Sequence, residues 1–189
     1  EFIEYISKKN KPTILSTGLS HQHKIDKAVR AFESTGNKKL IILHCVAIYP
    51  PEDSQVNLNR ILTLKNLYPY PIGFSDHSLG AAMPITSIAL GARVIEKHFT
   101  IDKKMDGWDH RISADENDMK QIVNGCKRAF DGLGSEKIVR IESQDRVDSF
   151  RRSIVTKQKI SKGTIIQRSM LDVKRPGTGF PPEKIKDIL

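Results

Sequence analysis

Cysteine, tryptophan and long apolar runs are scarce in this sequence of 189 residues. The two cysteines, Cys45 and Cys126, form no Cys-x-x-Cys pair, so neither a disulfide framework nor a cysteine-based zinc site is expected. No run of about 18 apolar residues occurs, and the mean hydropathy of -0.39 is typical of a soluble globular chain without a transmembrane helix. The first residues are polar and charged, unlike a signal peptide. We therefore expect a cytoplasmic protein with free thiols and no membrane partner.

Positive charge is concentrated at one end of the sequence. Residues 1–149 carry +2 (21 Lys and Arg against 19 Asp and Glu), whereas residues 150–189 carry +7 (10 against 3). A basic segment of this kind binds nucleic acid or an anionic small molecule. Nucleic-acid binding also requires aromatic side chains among the basic ones, and this segment has only Phe150 and Phe180. An anionic small molecule is therefore the expected partner, and nucleic acid is not.

Four short apolar runs rich in β-branched residues recur in the first hundred residues, each followed by a polar turn and a helical pattern. The predicted strands are 12–16, 40–44, 70–75 and 93–98. The predicted helices are 25–34, 56–66, 81–90 and 116–131, the last with a capping box of Ser113 and Glu116. Four β–α units in a row predict a parallel sheet with helices outside it. No GxGxxG turn follows any strand, which favours half of an eight-stranded barrel over a doubly wound sheet.

The pattern changes after residue 131. Residues 132–149 have no periodicity and mix glycine, serine and charges, as is typical of a linker. Two short strands, 153–156 and 164–166, are predicted around the turn Lys162-Gly163. We therefore predict an α/β part over residues 1–131, a linker over 132–149 and a small β-rich module over 150–189. Because the sequence opens with Glu1 inside a helical pattern, we expect that an upstream part is missing.

Two histidines follow neighbouring predicted strands. His77 ends the third strand, after Ser75 and Asp76, and His98 ends the fourth. Parallel strands joined by one helix end at the same edge of a sheet, so we expect both imidazoles in one pocket, where they could share a Mn²⁺ or Zn²⁺ ion that polarises a carbonyl. Spacing alone leaves open that the two histidines are unrelated. Ser75 could bind a phosphate or carboxylate, and either Ser75 or Asp76 equally suits a helix cap.

Three segments of the sequence are distinctive: GFSDHSLG at 73–80, IEKHFT at 95–100 and KRPGTG at 174–179. They resemble the sialic acid synthase family, which includes N-acetylneuraminate, legionaminate and pseudaminate synthases. The segments LSTG at 15–18, LHC at 43–45 and the pair Tyr49-Pro50 match as well. The resemblance implies the C-terminal half of a (β/α)8 TIM barrel, its strands 5–8, followed by a small antifreeze-protein-like (SAF) domain that is cut short.

The resemblance also implies an activity. Family members condense phosphoenolpyruvate with an open-chain N-acylated hexosamine, such as N-acetylmannosamine, to a nine-carbon 2-keto acid and release phosphate. His77 and His98 would be the protein ligands of a divalent cation, Mn²⁺ or Mg²⁺, that polarises the sugar aldehyde. Ser16 and Ser75 would contact phosphoenolpyruvate.

Three further residues receive roles from the resemblance. Tyr49 and Asp109 would contact the sugar. Arg175 would reach into the barrel of the partner subunit in a domain-swapped homodimer, which accords with the basic C-terminal segment. Ala47 departs from the family, where many members have Asn or Ser, and a lost hydrogen bond there would weaken phosphoenolpyruvate binding by about 1 kcal/mol.

An alternative interpretation is a truncated, non-catalytic relative that binds an anionic sugar or a partner subunit. The family's proton-transfer glutamate and its lysines for phosphoenolpyruvate belong to the first half of the barrel, and this sequence has no counterpart for them. We therefore expect the chain alone to be inactive. The presence of both histidines, Asp109 and Arg175 nevertheless favours part of a working synthase over a decayed one.

Overall fold

The computed structural model describes residues 1–189 and divides into an N-terminal unit, residues 1–134, and a C-terminal unit, residues 135–189. The helices of the N-terminal unit are α1 (Phe2–Lys8), α2 (Gln22–Glu33), α3 (Asp53–Val56), α4 (Arg60–Leu67), α5 (Ala82–Ala89) and α6 (Glu116–Leu133). Its strands are β1 (Thr13–Ser16), β2 (Leu40–Cys45), β3 (Ile72–Asp76) and β4 (Ile95–Lys97). A single 3-10 turn, His110–Ile112, precedes α6. None of the helices in the chain is long and apolar enough to cross a membrane.

The four strands form one parallel sheet in the order β1-β2-β3-β4. Each strand pairs with the next along the chain, and a helical connection covers each crossover. This order confirms the predicted parallel sheet of consecutive β–α units with helices outside it. It also places the C-terminal ends of all four strands at one edge, which is where barrels carry their functional residues.

Side chains alternate between two faces of the sheet, as they must in extended strands. The side chains on one face pack with the helices in the hydrophobic core, and we call this face the outer face. From the strands this face contributes Leu40, Ile42, Ile72 and Phe74, which cluster with Val29 and Phe32 of α2 and with Ile61 and Leu64 of α4. His44 follows the same alternation and stacks on Phe74, with 5.7 Å between ring centroids. The intervening residues Cys45, Ser75 and Glu96 lie on the opposite, inner face, in register across three strands.

Gly73 allows β3 and β4 to approach closely. A Cβ atom at this position would lie 2.5 Å from the carbonyl oxygen of Val94 and against the side chain of Leu43. Contacts this short do not occur for real side chains, so any larger residue would push the two strands apart. The glycine in the segment GFSDHSLG is therefore explained by packing.

Helix α6 begins two residues away from the predicted cap. The N-cap is Asp115, whose carboxylate accepts a hydrogen bond from the backbone N–H of Asp118 at 2.9 Å, and Asp118 returns the contact to complete the capping box. The predicted box of Ser113 and Glu116 was wrong. The Ser113 hydroxyl donates instead to the carbonyl oxygen of Asp109 at 2.7 Å, because residues 110–112 form a 3-10 turn that points it away from α6.

The C-terminal unit contains α7 (Gln144–Phe150), β5 (Ser153–Thr156), β6 (Leu171–Lys174) and α8 (Ile185–Ile188), with 3-10 turns at Arg168–Met170 and Pro182–Lys184. Helix α7 lies mostly within the segment predicted as a linker, and Ser143 caps it. Strand β5 pairs antiparallel with β6. The predicted strand over 164–166 does not form, since Ile165 is exposed and makes no ladder, whereas Leu171 is the one buried apolar side chain of this unit.

Candidate active site

The ends of β3 and β4 bring His77 and His98 together. Their ring centroids are 5.2 Å apart and the rings are nearly perpendicular, at 69°. His77 is 9% exposed, whereas His98 is only half-buried. The two side chains lie on the inner face, at the sheet edge where sequence analysis expects them.

A backbone hydrogen bond fixes the orientation of the His77 ring. Its Nδ1 lies 2.9 Å from the carbonyl oxygen of Val46. A carbonyl can only accept, so Nδ1 carries the proton and Nε2 keeps its lone pair. Metal-binding imidazoles are held in this way, with one nitrogen bonded to the protein and the other directed at the ion. His77 therefore meets the requirement of a metal ligand.

Two further predicted residues lie beside the histidines. The ring of Tyr49 is 4.2 Å from that of His77 and 5.9 Å from that of His98, between centroids. The Oδ2 atom of Asp109 is 3.6 Å from Nδ1 of His98. Tyr49 is half-exposed and Asp109 is exposed, so both could contact a ligand that enters from solvent.

A row of polar groups lies below the histidines on the inner face. Ser75 donates its hydroxyl proton to Glu96 at 2.7 Å. Burial raises the pKa of the Cys45 thiol, but the neighbouring side chains of His77, Ser16 and Ser75 stabilise the thiolate and outweigh burial, so the pKa lies below its usual value. The neighbouring Cys45 in turn raises the pKa of His77, against the opposing effect of burial. The predicted residues Ser16 and Ser75 thus belong to the same polar row as the thiol.

Asp76 and Lys97 form a buried ion pair on the outer face. The Lys97 ammonium lies 2.7 Å from Oδ2 of Asp76 and also donates to the carbonyl oxygen of Ser78. The other carboxylate oxygen of Asp76 accepts from the backbone N–H and the hydroxyl of Ser78. Neither Ser75 nor Asp76 caps the following helix, since the N-cap of α5 is Ala81. Both charges are therefore satisfied within the protein.

The contacts of three residues in this region were not predicted from the sequence. Cys45, Glu96 and Lys97 each contact a predicted residue or its neighbour. Strand alternation alone could have placed Cys45 and Glu96 on the face of Ser75. The partner of Lys97 depends on the register between β3 and β4, which the sequence does not specify.

The residues present offer two protein ligands for a metal ion. No group of three or more His, Cys, Asp or Glu side chains converges on one point. The pair His77 and His98 nevertheless fits, since two imidazoles that share one ion through bonds of about 2.1 Å lie at roughly the observed separation. Such a site keeps open positions for substrate and water.

Arg175 lies in the C-terminal unit, just after β6. Its Nε donates to the carbonyl oxygen of Phe150 at 2.9 Å, and its guanidinium carbon lies 5.5 Å from the centroid of the Phe150 ring. The two terminal nitrogens make no hydrogen bond within the protein, and the side chain is exposed. The guanidinium is therefore held at one end and free to bind a carboxylate or phosphate at the other.

Comparison with known proteins places this arrangement in a family. Residues 1–138 match the NeuB family and residues 151–189 match the SAF domain. The chain is 45% identical to an uncharacterized protein of Methanocaldococcus jannaschii, over 99% of this chain and 56% of that protein. It is 35% identical to the pseudaminic acid synthase of Campylobacter jejuni, over 100% of this chain and 55% of that enzyme.

A solved structure shows the same fold. The N-acetylneuraminic acid (sialic acid) synthetase of Leptospira borgpetersenii superposes with a TM-score of 0.71 at 36% sequence identity, over 77% of this chain and 50% of that chain. The chain spans about half the length of the curated relatives it matches. The NeuB match covers most of this chain and the SAF match follows it in order, so the chain belongs to the sialic acid synthase family.

Proposed function

We propose that this chain is the C-terminal part of a synthase that condenses phosphoenolpyruvate with an N-acylated hexosamine, such as N-acetylmannosamine, to a nine-carbon 2-keto acid with release of phosphate. Relatives named as pseudaminic and N,N'-diacetyllegionaminic acid synthases support this reaction class. The observation that carries the proposal is the juxtaposition of His77 and His98, 5.2 Å apart between ring centroids, beside Tyr49 and Asp109.

His77 and His98 are the proposed ligands of a divalent cation, Mn²⁺ or Mg²⁺. Two imidazole nitrogens favour Mn²⁺, because Mg²⁺ prefers oxygen ligands and keeps much of its water. When bound, the cation supplies Lewis-acid activation of the sugar aldehyde. The bond from His77 to Val46 holds one ring in the required orientation before any ligand arrives.

The surrounding side chains bind and orient the two substrates in this proposal. Tyr49 and Asp109 lie at the open side of the pair and offer a hydroxyl and a carboxylate to the hydroxyls of the sugar. Ser16 and Ser75 belong to the inner face and offer hydroxyls to phosphoenolpyruvate. Because Ser75 donates to Glu96 in this structure and phosphoenolpyruvate offers only acceptor oxygens, the hydroxyl must turn away from Glu96 to donate to that substrate.

Cation binding tests the proposal directly. We expect the chain to bind one Mn²⁺, seen as loss of the free-ion signal in electron paramagnetic resonance. His77→Ala and His98→Ala should each weaken binding at least tenfold, since loss of one of two protein ligands costs more than about 1.4 kcal/mol. His23→Ala is the matched control, because His23 is exposed on α2.

Two outcomes contradict the assignment. If the affinity for Mn²⁺ is unchanged in both the His77 and the His98 variants, these histidines are not the metal ligands. Binding that falls equally in the His23 variant would point to non-specific surface coordination. For the reaction itself, phosphate release from phosphoenolpyruvate that requires the hexosamine and is lost with either site histidine is the expected result in the complete synthase.

A further inference from the structure

A cavity of about 270 Å³ lies on the outer face of the sheet, between α2 and α4 and next to the ends of β1 and β2. Its apolar wall consists of Leu64 of α4, Tyr68 directly after α4 and Ile25 of α2. His21, His44 and Arg60 contribute polar groups. Its size is slightly below the range of about 300–1,000 Å³ that is typical of ligand pockets, so it suits a small metabolite.

Strand β2 separates this cavity from the candidate active site. His44 points to the outer face, where it stacks on Phe74, while Ser75 and Glu96 point to the inner face. Cys45 also lines the cavity, but its thiol lies beside the inner-face residues His77, Ser16 and Ser75. The cavity is therefore not the pocket that contains His77 and His98.

His44 presents an unpartnered nitrogen at this cavity. The side chain is 2% exposed, and its Nε2 lies 2.7 Å from the carbonyl oxygen of Val56. Because a carbonyl only accepts, Nε2 carries the proton and Nδ1 is a bare acceptor. Nδ1 makes no hydrogen bond within the protein, and His44 lines the cavity. Burial also lowers the pKa of His44, which keeps the ring neutral.

Positive electrostatic potential accompanies this acceptor. Arg60 is the first residue of α4, makes no ion pair and acts electrostatically on His44. Helix α2, of 12 residues, starts at the cavity without a side-chain cap on its free N–H groups, and its N-cap is His21. A guanidinium and an uncapped helix N-terminus both favour an anion.

We infer that this cavity is a second binding site, for a small anion that also carries a hydroxyl group. The carboxylate or phosphate binds Arg60 and the N-terminus of α2, and the hydroxyl donates to Nδ1 of His44. A hydroxylated carboxylate and a phosphorylated polyol share this chemistry. The acceptor on His44 rejects anions without a donor, because desolvating Nδ1 with no hydrogen bond is unfavourable.

Nuclear magnetic resonance of the full chain tests this site. Correlation spectra of the histidine ring nitrogens are recorded during titration with glycerate, glycerol 3-phosphate, propionate and glycerol. We expect glycerate or glycerol 3-phosphate to move the Nδ1 resonance of His44 saturably. Propionate lacks the hydroxyl group and glycerol lacks the charge. Each should therefore bind at least about tenfold more weakly than glycerate or glycerol 3-phosphate.

Two variants of α4 test whether anion binding requires a positive charge at the cavity or only a positive charge on the helix. Arg60→Ala should weaken binding of the hydroxylated anion by about tenfold or more. Lys65→Ala removes the same charge from α4 outside the cavity and should have little effect. Arg60→Ala should also fold normally, since a cation at a helix N-terminus does not stabilise the helix.

Three results would overturn the inference. If none of the four probes moves the His44 resonance saturably, the cavity holds only water. If propionate and glycerate bind equally well, His44 does not recognise the hydroxyl group. If Arg60→Ala and Lys65→Ala weaken anion binding equally, the effect is one of general surface charge. These results are independent of the Mn²⁺ titration, so the two proposals can fail separately.

Discussion

Single residues show most clearly how the site is supported, and the buried pair Asp76–Lys97 is the best example. Asp76 directly precedes His77, and Lys97 directly precedes His98. The two charged residues are register partners at the ends of β3 and β4, and their contact ties those ends together. The pair is therefore placed to hold the two histidines at a fixed separation without touching a substrate.

Breaking this pair should affect both stability and the site. Lys97→Met leaves the carboxylate of Asp76 buried without its cation, which should lower the free energy of unfolding by about 3–5 kcal/mol. Mn²⁺ affinity should fall as well. The double variant Asp76→Asn with Lys97→Met should recover part of the stability, because it removes both buried charges. Urea unfolding and a Mn²⁺ titration measure the two effects.

Lys103→Met is the matched control for this prediction. Lys103 pairs with Asp118 near the surface, where loss of an ion pair costs at most about 1 kcal/mol. If Lys97→Met and Lys103→Met change stability and Mn²⁺ affinity to the same small extent, the buried pair does not position the site.

The sequence predicts the position of His77 and His98 at one sheet edge, because that position follows from strand order alone. It does not predict the bond from Ser75 to Glu96, the contact of Cys45 with His77 or the partner of Lys97. These contacts depend on strand register and on which rotamer each side chain adopts, and neither is encoded in a local pattern.

At the scale of whole elements, the close approach of β3 and β4 sets the geometry of the site. Gly73→Ala should lower the free energy of unfolding by about 1–3 kcal/mol, since its Cβ would collide with the carbonyl of Val94 and the side chain of Leu43. Gly132→Ala in α6 is the control, because nothing lies near that position. Alanine there should stabilise the protein by about 0.5–1 kcal/mol.

Chemical denaturation of both glycine variants checks this prediction. A Gly73 variant as stable as the parent protein would mean that the strands separate without cost. It would also mean that the distance between the two histidines is not constrained by the sheet.

Elements with strong periodicity are predicted well, and those without it are not. The four strands and the helices over 22–33, 82–89 and 116–133 form where their apolar patterns predict them. Helix α7 has little apolar pattern and depends on the Ser143 cap and a hydrogen bond between Gln144 and Asp148. The strand predicted at 164–166 does not form. The strand that pairs with β5 is instead β6, which contains the buried Leu171.

The whole molecule consists of two units with different electrostatic character. The C-terminal unit carries most of the positive charge and a guanidinium, that of Arg175, with its two terminal nitrogens free. The family resemblance predicts a domain-swapped homodimer, in which Arg175 would complete the site of the partner subunit. Such an arrangement makes each site depend on two chains.

Complementation between subunits of the complete synthase tests this arrangement. Arg175→Ala and His77→Ala subunits should each be inactive alone, while mixed dimers contain one site with both groups intact. If half of the dimers are mixed, activity should return to about a quarter of the parent value. Activity that stays at the level of the separate variants after subunit exchange would show that Arg175 does not act in trans.

Neighbouring residues along β2 and β3 face opposite sides of the sheet, with Cys45 and Ser75 inside and His44 and Phe74 among the helices. Changes to Ser75 and to the loop residues Tyr49 and Asp109 therefore leave the hydrophobic core intact. If the chain is part of the proposed synthase, a library for directed evolution that varies only those positions would sample new sugar preferences among variants that still fold. The same separation would let such a synthase change its product over evolutionary time while the scaffold stays constant.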